Sequence, residues 1–369
     1  MPHEACTTII LHTRDRPEFV IRCLDYYSRH AAQIRLKLVV ADGSRPQAWA
    51  RLAEDLDRLA SSHDIELMHC SAETPFAKRL EQALDHVSTP YVLLAADDDF
   101  YMLDWIEAAE DLLDGDVTFG VVYGHVLKFE LERFVPYSDR VEFSVETTRN
   151  PPFRWLEDET TAQRLTELGN PATDLATAGW YALQRTSLLK LIIATAVHAD
   201  LNPYGLEKLM IFAQAALART RKLDRIHLAR QVNRDEKRPP YGYRAQSATL
   251  RKLLDAAASL LVDHAGLQGE AAEELVALTF RGEIAQLERA DSKRHLRTLA
   301  DRIPQLRSLW TRAQTYRPGP WRTSGTAQDA RFPPPPEISS DHPAVKIVRE
   351  AVWCRGKPCP KSPFIVCCS

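Results

Sequence analysis

Along the first part of the chain, short continuous apolar runs alternate with segments whose apolar positions recur at helical spacing. Thr7-Thr8-Ile9-Ile10-Leu11 is a β-branched run and predicts a strand. The polar loop His12 to Pro17 follows. Pro17 suits a first helical turn, and Phe19, Val20, Cys23, Leu24 and Tyr27 then share one helix face. Leu36 to Ala41 predicts a second strand, stopped by Asp42-Gly43-Ser44. A helix over 47–59 carries Leu52, Leu56 and Leu59 on one side. Ile65 to His69 is a third, short strand, and Lys78 to Val87 a helix with Leu80, Ala83, Leu84 and Val87 inward. Tyr91 to Ala96 is an uninterrupted apolar strand, followed by a helix over 103–113 and a strand or hairpin over 117–127. Strands alternating with helices across short connections predict an α/β fold, a doubly wound, mostly parallel sheet flanked by helices.

Farther on the pattern weakens. Residues 129–170 read as loops and short helices, and 174–183 as a loop entering a strand. Helices are expected over 187–197 and 206–217, and a late edge strand over 226–231. From Ser247 to Trp310 the amphipathic spacing returns as a C-terminal helical extension, for which ordinary core packing is the first expectation and cover of the acceptor side, a dimer interface or docking on a membrane-bound partner are the alternatives. Arg317 to Ser369 is rich in proline, including Pro333 to Pro336, and predicts an extended or disordered tail. The expected units are thus 1–240, a helical extension over 241–312, and the tail over 313–369.

The 369 residues carry 47 Lys and Arg against 50 Asp and Glu, mixed along the chain, which gives no basic footprint for a nucleic acid. No apolar run is long enough for a transmembrane helix. The start, Met1 to Cys6, lacks the basic-then-apolar order of a secretory signal, so a cytoplasmic location is the default expectation. Cys6, Cys23 and Cys70 read as small buried hydrophobes. Cys354, Cys359, Cys367 and Cys368 crowd the tail at a spacing that fits no zinc module.

The chemistry concentrates where the fourth strand ends in Asp97-Asp98-Asp99. Three adjacent carboxylates repel one another unless a cation neutralises them, and Mg²⁺ or Mn²⁺ takes such oxygens while bridging to a substrate phosphate. The carboxyl edge of an open α/β sheet is where ligands bind. A solvated turn capping the next helix is the plainer alternative. No G-x-G-x-x-G follows the first strand and no Walker-type loop is present, which argues against the usual dinucleotide and P-loop folds.

In order and spacing, Thr-Ile-Ile-Leu-His-Thr-Arg-Asp-Arg-Pro-Glu-Phe, then Val-Val-Ala-Asp-Gly-Ser, then Pro-Tyr-Val-Leu-Leu-Ala-Ala-Asp-Asp-Asp-Phe resembles the GT-A fold glycosyltransferases of family 2, over roughly residues 6–235. The resemblance implies roles. Thr13, Asp15 and Arg16 would contact the nucleotide, Asp42 the base, and Lys78 or Arg79 the donor. The D-x-D motif, which holds ribose and the metal–diphosphate, falls within Asp97, Asp98 and Asp99. One register gives a complete motif over 97–99; the other, over 96–98, lacks its first acid. We take Asp97 on the donor side and Asp98 and Asp99 as metal ligands. The catalytic base of the family sits near the start of a late helix, which here is Glu207. The family's Glu-Asp becomes Glu207-Lys208, and Asp174 is the second candidate.

Gly179-Trp180-Tyr181 resembles the acceptor-side segment, where an aromatic face stacks on a sugar ring. The same two aromatics fit equally as core residues. His227 and Arg230 fall where the family places a residue touching the diphosphate, although a lone His or Arg near a strand is more often structural. Q-x-x-R-W, the mark of processive synthases, is absent. The expected function is a metal-dependent, inverting transfer of a sugar from a nucleotide-sugar to an acceptor hydroxyl on a glycan, glycolipid, protein or metabolite. A sugar-nucleotidyltransferase would need a Gly-rich loop after the first strand, and His12 to Pro17 has none. A non-catalytic nucleotide-sugar-binding protein remains the third reading.

Overall fold

The computed structural model describes residues 6–30, 36–60, 65–131, 135–138, 140–146, 160–168, 179–232, 243–284 and 339–353. Its sheet begins as the sequence pattern requires. Strands β1 (Thr7–Thr13), β2 (Leu36–Asp42), β3 (Ile65–His69) and β4 (Tyr91–Ala96) pair in parallel in the order β3-β2-β1-β4. Helices α1 (Pro17–His30), α2 (Pro46–Ala60) and α3 (Phe76–Asp85) make the crossovers. Pro17, at the first position of α1, has no N–H to leave unpaired and a φ already suited to a helix.

Beyond β4 the sheet becomes mixed. It continues through β8 (Leu183–Arg185), β6 (Phe119–Leu131) and β9 (Arg219–Val232) to β5 (Phe100–Tyr101), with β7 (Val141–Glu146) forming a hairpin on β6. β8 is antiparallel to both β4 and β6, and β9 runs parallel to β6. The expected edge strand over 226–231 is therefore the end of a longer strand with neighbours on both sides.

Two helical layers cover the sheet. One contains α1, α2 and α4 (Leu103–Gly115), packed on Ile9, Leu11, Leu93 and Phe129. The other contains α3, α6 (Thr186–His198), α7 (Pro203–Leu217), α8 (Tyr243–Ala265) and α9 (Gly269–Thr279), packed on Ile10, Val39 and Val92. A short helix α5 (Thr161–Leu168) adds Leu165 to this second layer. Its buried Arg164 donates to the carbonyls of Ala215 and Ala216, satisfying the orphan oxygens at the end of α7. The described part of the expected C-terminal extension, α8 and α9, thus shares one core with the sheet.

Part of the tail departs from expectation. Pro343–Trp353 is a helix, α10, which lays Val345, Val348 and Val352 into the first layer against α1 and β9. Their helical spacing outweighs the proline content on either side. No described helix is long and apolar enough to cross a membrane.

Candidate active site at the carboxyl edge

The parallel strands end in register, so their last residues form a row. His69 lies opposite Asp42, Asp42 opposite Thr13, and His12 opposite Ala96, one residue before the acidic turn. At about 4.8 Å per strand, the row from His69 to Asp97 spans roughly 14 Å.

At the β4 end, Asp97 is fully buried. Thr13 Oγ1 donates to its Oδ2 at 2.5 Å, and Arg16 grips the carboxylate with Nε and Nη2. The same guanidinium reaches Asp98 Oδ2 through Nη1 at 3.0 Å. Arg16 is thus the protein's own cation between two of the three acids. Burial, then the neighbouring Asp98 charge, push the Asp97 carboxyl upward; Arg16 and Thr13 oppose them. Only Asp98 of the three keeps part of its side chain, 15 %, open to solvent.

Asp99 does not join Asp97 and Asp98. The turn after β4 sends its side chain the other way, where Oδ1 accepts the Gln231 N–H at 3.0 Å and Tyr181 supplies a further hydrogen bond. The expected pairing of Asp98 with Asp99 as metal ligands therefore does not fit this geometry. Among the described residues, no three His, Cys, Asp or Glu side chains come together as a metal site. The arrangement fits an ion delivered with its phosphates, since Mg²⁺ commonly takes one or two carboxylates plus phosphate oxygens and water. Of the three acids, Asp98 is the one whose carboxylate could reach such an ion, being the part-exposed one.

Burial, then the Asp98 charge, lift the Asp99 carboxyl from its ordinary 3.8 to about 8. A carboxyl raised in the fold stabilises it most below the unfolded-state value, and that contribution disappears as pH rises through the folded-state value. Asp99→Asn keeps the Gln231 contact and cannot ionise. Its stability relative to the native protein should climb between about pH 4 and pH 8, by at most ~1.4 kcal/mol per pH unit. Parallel pH profiles of the two proteins would contradict this.

Below the turn lies a residue that the sequence reading passed over. Arg22 on α1 is buried, with 1 % exposure. Its guanidinium donates to Pro136 O (2.6 Å), Gln231 Oε1 (2.9 Å) and Asp98 O (3.1 Å), and stacks against Phe19 and Phe100. Cys23 adds its thiol to Asp97 O at 3.0 Å. The signal was present: Arg22 sits one helical turn from Phe19 and Tyr26, on the face that turns inward.

At the β2 end, Asp42 is fully buried, and its oxygens accept from Ser44 Oγ (2.5 Å), Ser44 N (3.1 Å) and His69 Nδ1 (2.7 Å). Asp15 adopts a left-handed backbone, φ 58°, and accepts from Arg45 N and Nε. Those bonds hold the Asp15 carboxyl below its usual range and tie the loop after β1 to the loop after β2. Lys78 points outward to Glu81, whereas Arg79, one position and about 100° around α3, is buried and donates to Thr13 O at 2.9 Å. The basic residue that the site receives from this helix is therefore Arg79. A Cβ at Gly43 would stand 2.0 Å from Arg79 Nη1, so only glycine admits this guanidinium.

On the far side, Trp180 is half-buried and stacks on Phe76 at 6.0 Å, with the His12 ring edge-on to both. Tyr181 is buried beneath Arg230. Gly179 presses against α7: a Cβ there would come 2.8 Å from Gln214 Oε1, and Gln214 Nε2 donates to Gly179 O. Gln214 also meets Gln184, which pairs with Val92 in the first half of β4. Helix α7 therefore runs from the carboxyl edge toward the opposite edge, and its first turns, with Glu207 half-buried in the second, stand on the site side. Lys208 turns to Glu283 at 3.0 Å and to the Tyr204 ring. His227 is fully buried beside Trp105 and Tyr101, away from the acidic turn, because strand alternation sends it into the core. Asp174 lies outside the described residues, as do the four tail cysteines.

No protein-family model matches the sequence, and no curated protein sequence does. Solved structures are similar to it in backbone. S. aureus TarS 1–349 is 13 % identical, with a TM-score of 0.47 over 74 % of this chain and 70 % of that one. The same fragment in complex with UDP-GlcNAc is 14 % identical, with a TM-score of 0.47 over 74 % and 71 %. The mannosyltransferase PcManGT from Pyrobaculum calidifontis, in complex with GDP-Man and Mn²⁺, is 16 % identical, with a TM-score of 0.42 over 85 % of each chain.

Proposed function

We propose that the protein transfers a sugar from a nucleoside-diphosphate sugar to an acceptor hydroxyl. The observation that carries this reading is the row at the carboxyl edge. It places a hydrogen-bonding end, His69 backed by Asp42, three strands from an end where Arg16, Asp97 and Asp98 gather charge. A nucleoside diphosphate laid along that row puts its base at β2 and β3 and its phosphates at the acidic turn.

The diphosphate meets the Arg16 guanidinium, a planar fork suited to phosphate oxygens. Asp98 would hold a Mg²⁺ or Mn²⁺ ion brought with the donor, which would supply Lewis-acid stabilisation of the leaving diphosphate. Asp97 orients Arg16. Trp180 and Phe76 offer the acceptor an apolar face. Glu207, at the start of α7, removes the acceptor proton from the side opposite the leaving group, which makes the transfer inverting.

The test is a thermal-shift panel of UDP-, GDP-, CMP- and dTDP-sugars with and without Mn²⁺. One donor class should stabilise the protein in a metal-dependent way, by about 2.7 kcal/mol at 100 times its Kd. Asp98→Ala should abolish the metal dependence. Indifference to every donor, whatever ion is present, overturns the reading.

A further inference from the structure

We propose that His69, not Asp42, reads the nucleobase, and that it selects bases carrying an N–H on the ring nitrogen of their pairing edge. The inference rests on the nucleotide-sugar reading above and deepens it.

The acid that ends β2 is closed to a ligand. Asp42 is fully buried, and its two oxygens accept from Ser44 Oγ, Ser44 N and His69 Nδ1 at 2.5, 3.1 and 2.7 Å. What Asp42 does instead is set the state of His69. A carboxylate only accepts hydrogen bonds, so the hydrogen of the neutral imidazole sits on Nδ1 and the lone pair on Nε2. The ring is held in plane by Trp49, stacked at 4.4 Å with an interplanar angle of 18°. Its side chain is 30 % exposed, and no described residue hydrogen-bonds to Nε2. An oriented acceptor is therefore presented at the β3 end of the row, three strands from Asp97.

An acceptor at that point matches N3–H of uracil or thymine and N1–H of guanine. Cytosine N3 and adenine N1 bring a second lone pair against the first. A site built around one such bond discriminates against ligands that cannot make it. The partial exposure of His69 keeps the expected ratio near ~10-fold, well below that of a sealed pocket.

The experiment is titration calorimetry of the full chain with UDP, dTDP, GDP, CDP and ADP in the presence of Mn²⁺, for the native protein, His69→Phe and His69→Ala. His69→Phe keeps a ring on Trp49 and removes the nitrogen. The native protein should bind at least one of UDP, dTDP and GDP ~10-fold or more tightly than CDP and ADP. Both variants should bring the best of the first group to within about threefold of the second. Native binding of CDP or ADP as tight as the best of the others overturns the inference and leaves the transferase reading standing. So does discrimination that survives in His69→Phe. Failure of all five nucleotides to bind the native protein removes both together.

Discussion

Glu207→Gln is expected to leave donor binding unchanged and to lower turnover roughly 10²–10⁴-fold, the range for loss of a general base. The residue sits in the second turn of α7, whose start is fixed by the Asn202 side chain accepting from Gly205 N at 2.9 Å. The contact of Gln214 with Gln184, the partner of Val92, puts the other end of the helix near the start of β4. Lys208, beside it, is bound by Glu283 and lies over the Tyr204 ring, so it faces away from Glu207. Gln preserves shape and polarity but cannot take a proton. Steady-state kcat, with donor Kd measured separately, separates the two effects. Turnover within a factor of three of the native protein would place the base elsewhere.

Arg22→Ala should cost about 3–5 kcal/mol of folding stability. Three oxygens, the buried Gln231 Oε1 and the part-buried Pro136 O and Asp98 O, would lose their donor, at about 1–3 kcal/mol each when nothing replaces it. These losses are not additive, and partial relaxation limits the sum. Arg22→Met refills the space against Phe19 and Phe100 but donates nothing, so it should recover only part of the loss. Urea denaturation of the three proteins gives the comparison. A loss under about 1 kcal/mol in Arg22→Ala would mean that the oxygens find other donors.

The parallel half of the fold was legible because its signals are local. β1 to β4 are continuous apolar runs, and each crossover helix shows its inward face. Strand β8 has three residues, too few to show a period, and the first half of β9, Arg219 to Arg225, is mostly polar. Within the site, the sequence placed the acidic turn at the ligand edge but could not give the direction of each side chain. Asp97 and Asp98 meet at Arg16 while Asp99 turns to β9, a division set by backbone geometry within the turn. The choice between Lys78 and Arg79 was a matter of helix phase: the apolar positions Leu80, Ala83 and Leu84 put 79 inward and 78 outward. His227 takes the structural place more usual for a lone histidine near a strand; β9 buries Leu228 on one side and His227 on the other.

Helix α10 gives the order of synthesis a role. Ser138 N donates to Val352 O at 3.1 Å, and the same 135–138 stretch supplies Pro136 O to Arg22. The groove beside α1 stays uncovered until Pro343–Trp353 leaves the ribosome, although every parallel strand was translated long before. Packing of α1 and β9 against α10 is thus a late event in the life of the nascent chain, and shortened products that stop ahead of α10 expose apolar surface for chaperones to recognise.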